Sequence, residues 1–211
     1  MGSLPPRASF FAAFATTFLV IALPAVSGAT TSDKTVYLTV HGTPGADTII
    51  GKRHNERVMA MSGNDYVRLG GGNDVAFGED GDDWLHGNDG RDMVSGGAGN
   101  DHPQGGGGND RVYGGSGVDE LDGDAGDDLI FAGSGDDGVT GDEGNDTIYP
   151  GTGADIIYGE QGYNHIIAKD DGVADRFYCS MINVGQAPGL LTYIGKKDPL
   201  DVIVQCVVEV K

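Results

Sequence analysis

The chain has 211 residues, 38 of them glycine, and only 38% hydrophobic residues, so large aliphatic side chains alone give it little cohesion. Acidic residues number 32 against 13 basic ones, for a formal charge of -19. This excludes nucleic acid and anionic membranes as partners, because attraction to phosphate needs surplus Lys and Arg.

Residues 1–29 read as a secretory signal peptide. Arg7 supplies the positive region, Phe10 to Val26 the apolar run broken by Pro24, and Ser27-Gly28-Ala29 the small residues before cleavage. A membrane anchor is the alternative, but the apolar run is short and has no basic stop. The expectation is therefore a secreted, extracellular protein with no membrane span. Residues 30–41 follow as an N-terminal cap strand, in which Thr35-Val36-Tyr37-Leu38-Thr39-Val40 alternates at the strand period.

From residue 42 to 167 the chain is a nine-residue repeat. Acidic side chains recur without insertion at Asp65, Asp74, Asp83, Asp92, Asp101, Asp110, Asp119, Asp128, Asp137, Asp146 and Asp155, and the phase reaches Asp47, Glu56 and Asn164. Glycine stands two residues before each of them, with His54 the only break. Two residues after each comes an apolar side chain, as in Val67, Leu85, Val94, Leu121 and Ile148, with Pro103 the exception. The pattern G-G-x-G-x-D is intact in Gly96-Gly97-Ala98-Gly99-Asn100-Asp101.

The first six residues of such a unit are expected to form a turn with positive φ, which glycine allows. The last three form a minimal strand with one side chain inward. One unit cannot bury its apolar residue alone, so units must stack. Two units per coil place Asp47, Asp65, Asp83, Asp101, Asp119, Asp137 and Asp155 on one edge. Asp74, Asp92, Asp110, Asp128 and Asp146 fall on the other. Stacked carboxylates repel one another without a bridging cation, and calcium takes six to eight hard oxygen ligands in a forgiving geometry.

This array resembles the RTX, or haemolysin-type, calcium-binding repeat family over residues 42–167. The resemblance implies an all-β fold: a right-handed parallel β-roll, here with an N-terminal cap strand and a small disulfide-linked C-terminal cap. It also implies multiple Ca2+ ions between loops 18 residues apart, held by turn carbonyls and by the aspartates of both edges. The number of ions is on the order of ten. Glu56 with His54, Asn164, Pro150 and Pro103 depart from the pattern and put the first and last coils in doubt. Such a chain is expected to be disordered without calcium and to fold on binding it.

Residues 168–211 form the C-terminal cap. Asp170 to Asp175 is a repeat-like piece shifted by two, and Leu190 to Ile194 and Asp201 to Val210 read as strands. Cys179 and Cys206 are the only cysteines, and in an exported chain such a pair forms a disulfide. A metal pair or two free thiols are the alternatives.

The outward faces differ. One carries an apolar stripe with Phe77, Tyr113, Phe131 and Tyr149, and the other mixes Tyr66, Arg68, Trp84, His86 and His102. The stripe could dock a glycan, a protein or a second copy, or it could simply stabilise the sheet across strands. No H-E-x-x-H and no G-x-S-x-G occurs, so no catalytic residues are assigned and no enzyme is expected. The reading is a calcium-binding protein with a structural or surface-associated role. The alternative is a calcium-rigidified adhesin-like module using the aromatic face.

Overall fold

The structure, a computed structural model, describes residues 37–179, 188–194, 197 and 199–211. The signal-peptide reading over residues 1–29 lies outside the described residues, as do Thr35 and Val36 of the cap strand.

The nine-residue period becomes two sheets because each unit supplies one strand and the chain then crosses to the opposite sheet. Among the described residues, nineteen strands alternate between a ten-stranded and a nine-stranded sheet, and every pairing is parallel. From Leu38 to Ile166 the register places each paired residue on its counterpart 18 positions away. In the first sheet Val40, Val58, Ala76, Val94, Val112, Ile130, Ile148 and Ile166 stack in one column. In the second, Ile49, Val67, Leu85 and Pro103 form one run, and Leu121, Val139 and Ile157 another. These inward side chains form the core and are almost completely buried.

Many strands are longer than the three residues expected, although Thr48–Ile50, Gly138–Thr140 and Ile156–Tyr158 keep that length. Tyr66–Gly71, Trp84–Asp89 and Arg111–Ser116 each cover six of the nine positions, so pairing continues through the first glycines of the next unit. Only two positions per unit take positive φ, not the whole turn. They are the glycine two residues before the aspartate, such as Gly72 at 135°, and the residue four before it, such as Gly97 at 125°. At the latter position Glu79, Asn88, Asp124 and Asp142 also adopt positive φ, so glycine is not obligatory there.

The ends are covered by the same architecture. Leu38–His41 pairs on Glu56–Ser62, and the buried Val40 covers the first rung. The C-terminal segment caps the roll by continuing it. Arg176–Tyr178 and Val202–Val204 extend one sheet, and Gly189–Ile194 and Cys206–Val210 extend the other. Phe177, Leu191 and Tyr193, all at most 1% exposed, close the core above Ile157 and Ile166. A Cys179–Cys206 disulfide, with Cα atoms 5.2 Å apart, joins these last strands.

Pro103 interrupts the array from within. It is buried in the inward column of His102–Gly107, where its ring nitrogen has no proton to donate. Pairing with the following strand, Glu120–Ala125, begins only at the Gln104–Asp122 rung. The apolar core divides at the same level, into a cluster ending at Leu85 and Val94 and one beginning at Val112 and Leu121.

Two outcomes follow for stability in the presence of calcium. Replacing both cysteines by serine is expected to cost about 3–4 kcal/mol from loop-closure entropy, read by urea unfolding. Pro103→Val restores a ladder donor and an apolar contact, and is expected to stabilise by about 1 kcal/mol; a loss in the same assay contradicts the reading of Pro103 as a defect.

Candidate metal centre

From Asp65 to Asp155, each column aspartate follows a positive-φ glycine by two residues. That backbone reversal turns the carboxylate into the roll at the corner between the two sheets. Asp47, Asp65, Asp74, Asp83, Asp92, Asp101, Asp110, Asp119, Asp128, Asp137, Asp146 and Asp155 are all at most 3% exposed. They are therefore not a solvated acidic face. Glu56 and Asn164 occupy the same buried columns.

The two oxygens of each carboxylate have different surroundings. From Asp65 to Asp155, Oδ1 accepts the backbone N–H of the equivalent residue one coil earlier, whereas Asp47 Oδ1 has no partner. Asp47 donates to Asp65, Asp74 to Asp92, Asp110 to Asp128 and Asp137 to Asp155, all at 2.7–3.0 Å. Along each edge the carboxylates are thus tied into a continuous ladder. Oδ2 has no such partner. From Asp65 to Asp155, Oδ2 of every column aspartate is buried without a hydrogen bond, and so is Oε2 of Glu56.

These oxygens point toward a site that glycine keeps open. A β-carbon on Gly105 would stand 2.7 Å from the Gly123 carbonyl oxygen and 2.8 Å from Asp110 Oδ2. At Gly123 both the Gly141 carbonyl and Asp128 Oδ2 would lie at 2.7 Å, and at Gly141 the Gly159 carbonyl and Asp146 Oδ2 at 2.8 and 2.5 Å. At Gly78, Gly87, Gly96, Gly105, Gly114, Gly123 and Gly141 the glycine five residues before the aspartate therefore serves space rather than φ, whereas Ala60, Leu69, Ala132 and Pro150 hold that position before Asp65, Asp74, Asp137 and Asp155. Such a glycine leaves a cradle in which a carboxylate oxygen of one coil and a carbonyl oxygen of the next converge without a donor. A set of hard oxygens that lacks a positive partner fits calcium. Among the described residues no three His, Cys, Asp or Glu side chains converge on one point, so such a donor set has to draw on backbone carbonyls. The two edges remain separate, and only members of one edge are neighbours.

The ends of the columns differ. Asp47 Oδ2 accepts the Thr43 N–H at 2.5 Å and its hydroxyl at 3.0 Å. Asn164 accepts the Asp146 N–H at 2.9 Å through Oδ1, while its Nδ2 donates to the Gly159 and Cys179 carbonyls.

Two features escaped the periodic reading. Asp155 N–H donates to Asp175 Oδ1 at 2.9 Å, and Asp175 N–H to Asp201 Oδ1 at 3.0 Å, so the ladder continues where insertions break the nine-residue phase. Outside it runs a second ladder of the residues just before each aspartate. Asn64, Asp82 and Asn100 accept the N–H of the residue one coil later, as do Asn73 and Asn145 on the other edge. The signal was present in the sequence as a column rich in Asn and Asp.

Burial sets the protonation of the inner column. Asp146 is pushed up to about 8, and Asp92, Asp101, Asp128 and Asp155 to about 7. Asp65, Asp110 and Asp137 reach about 6. Desolvation is the largest cause in each, opposed by the N–H donated to Oδ1 and reinforced by neighbouring acids.

Residues 39–67, 68–103, 104–139 and 139–166 match, as four copies, the family model described as RTX calcium-binding nonapeptide repeat. No match is found among curated proteins.

The direction of these shifts determines a pH response. An aspartate that titrates near 6–8 in the folded roll and near 3.8 when unfolded binds its proton more tightly in the folded state. Metal-free stability is therefore greatest below about pH 4 and falls as pH rises from 4 toward 8. Denaturant unfolding in EDTA across this range checks it, and stability that rises with pH contradicts it.

Proposed function

The chain belongs to the RTX calcium-binding nonapeptide repeat family, and from that premise we propose that it is an exported calcium-binding β-roll whose fold depends on the ions it holds. The observation that carries this reading is the row of buried Oδ2 atoms without donors, which at Asp83, Asp92, Asp110, Asp119, Asp128 and Asp146 lie beside the same open glycine position as a carbonyl of the next coil. Asp65, Asp83, Asp101, Asp119, Asp137 and Asp155 contribute the ligands of one edge. Asp74, Asp92, Asp110, Asp128 and Asp146 contribute those of the other. Calcium, when bound, supplies the positive charge and the demand for six to eight oxygens that this arrangement lacks.

The residues do the rest. Oδ1 of each aspartate is held in place by the backbone N–H below it, so Oδ2 is pre-aimed. The glycine carbonyls point inward because the following residue adopts positive φ. With an ion between successive coils, on the order of ten are held along the two edges, and metal-binding free energy becomes folding free energy.

Export rests on the leader-like pattern of residues 1–29 and on the disulfide, which persists in oxidising compartments. A structural rather than catalytic role rests on the carboxylates being committed to the ladder. The adhesin-like alternative draws on Tyr113, Phe131 and Tyr149, whose rings stack at 5.1 and 4.7 Å with interplanar angles of 5° and 9°. Rings stacked in this way cover one another's faces, the surfaces a sugar would pack against. The stack therefore supports cross-strand stabilisation.

Calorimetric titration of residues 30–211 with calcium, followed in parallel by circular dichroism, tests the proposal. On the order of ten ions and a strand signal that appears with calcium and disappears in EDTA are expected at neutral pH. Uptake of only one or two ions, or a strand signal unchanged by EDTA, overturns it. Phe131→Ala is expected to cost about 1–2 kcal/mol in the calcium-loaded state without changing binding on a glycan array.

A further inference from the structure

Asn164 stands in the even column directly after Asp146 and is 0% exposed. It keeps the ladder intact, because its Oδ1 accepts the Asp146 N–H as an aspartate would. Its other atom differs from every interior member of that column. Where Asp74, Asp92, Asp110, Asp128 and Asp146 present a bare Oδ2, Asn164 presents an Nδ2 that donates to two carbonyls, those of Gly159 and Cys179.

Those carbonyls are the counterparts of the oxygens that converge at interior turns. A β-carbon on Gly159 would meet the Cys179 carbonyl and Asn164 Nδ2, just as one on Gly141 would meet the Gly159 carbonyl and Asp146 Oδ2. The amide group has both of its hydrogens available for these two acceptors. It neutralises the cradle with a donor in place of a cation, and its partial positive charge repels one.

We infer that Asn164 is an amide plug that keeps the last turn of its edge metal-free while preserving the ladder. The inference rests on the calcium reading of the interior turns. At the first turn of the opposite edge Asp47 Oδ2, which shares the Gly42 cradle with the Ala60 carbonyl, takes both the N–H and the hydroxyl of Thr43, while Asp47 Oδ1 stays without a partner. The plug at Asn164 also bonds the carbonyl of a disulfide cysteine. The final coil is thus joined to the array without depending on ions, and calcium is confined to the interior turns.

The test compares residues 30–211 of the wild type with Asn164→Asp and Asp128→Asn. Bound calcium per chain is measured by equilibrium dialysis and elemental analysis, and the calcium concentration at half-folding by circular dichroism. Asn164→Asp opens a cradle and is expected to bind one more ion, with a steeper dependence of folding on calcium. Asp128→Asn installs a plug in the interior and is expected to bind one fewer while still folding in calcium. A folded Asn164→Asp chain with an unchanged ion count overturns the inference. If that variant does not fold, an unchanged count in Asp128→Asn overturns it, and a count lower by one supports it. A wild type that binds no calcium overturns the function proposed above instead, so the two failures are distinct.

Discussion

The structure is governed by the stacking of identical carboxylates on themselves. An 18-residue register with no insertion from Asp47 to Asn164 forces each aspartate onto the next, in a place at most 3% exposed. At the strand spacing of about 4.8 Å, two neighbouring charges at an effective dielectric constant of 20 repel by roughly 3–4 kcal/mol. No described Lys or Arg side chain forms an ion pair with the column. Ladder hydrogen bonds to Oδ1 relieve part of this cost and leave the other oxygen bare. The roll must therefore bind protons or cations in its columns, and the four matched repeat copies identify the cation as calcium.

Glycine serves this constraint in two distinct ways. Two residues before the aspartate it allows the positive φ that turns the carboxylate inward. Five residues before seven of the aspartates, from Gly78 to Gly141, it removes a β-carbon that would crowd Oδ2 and in most the next coil's carbonyl. The first role shapes the corner and the second keeps a ligand cradle open. This separation explains why Glu79, Asn88, Asp124 and Asp142 are tolerated at the intervening positive-φ position. Asn and Asp enter this region more readily than other side chains, although Met61 also takes it.

Period and phase made most of the fold legible. Three columns spaced by nine predict strands, parallel stacking and the two edges, because each follows from one inward apolar residue per unit. The pairing of Cys179 with Cys206 followed from their being the sole cysteines. What the period could not supply lay in atoms and in broken phase. That Oδ1 would be bound and Oδ2 bare depends on backbone direction, which no residue type encodes. Strands of six residues arose because pairing does not stop at a glycine whose neighbours are already in register. Asp175 was visible only as the end of a repeat-like piece shifted by two and Asp201 only as the start of a strand, although both continue the same hydrogen-bond ladder. The C-terminal segment, read as a separate cap, extends both sheets because Phe177, Leu191 and Tyr193 bury against the last regular rungs.

The ends show how an open stack is closed without a different fold. Thr43 at one end and Asn164 at the other supply donors where interior turns supply only acceptors. Added strands and a disulfide cover the core beside them. The most direct test of the governing constraint is a crystal structure grown in calcium, with an anomalous difference map collected near the calcium signal. Density between successive coils along both edges, about 2.3–2.6 Å from Oδ2 of the interior aspartates, is the predicted result. An ordered roll with no density there, and with Oδ2 protonated onto the facing carbonyl, contradicts it.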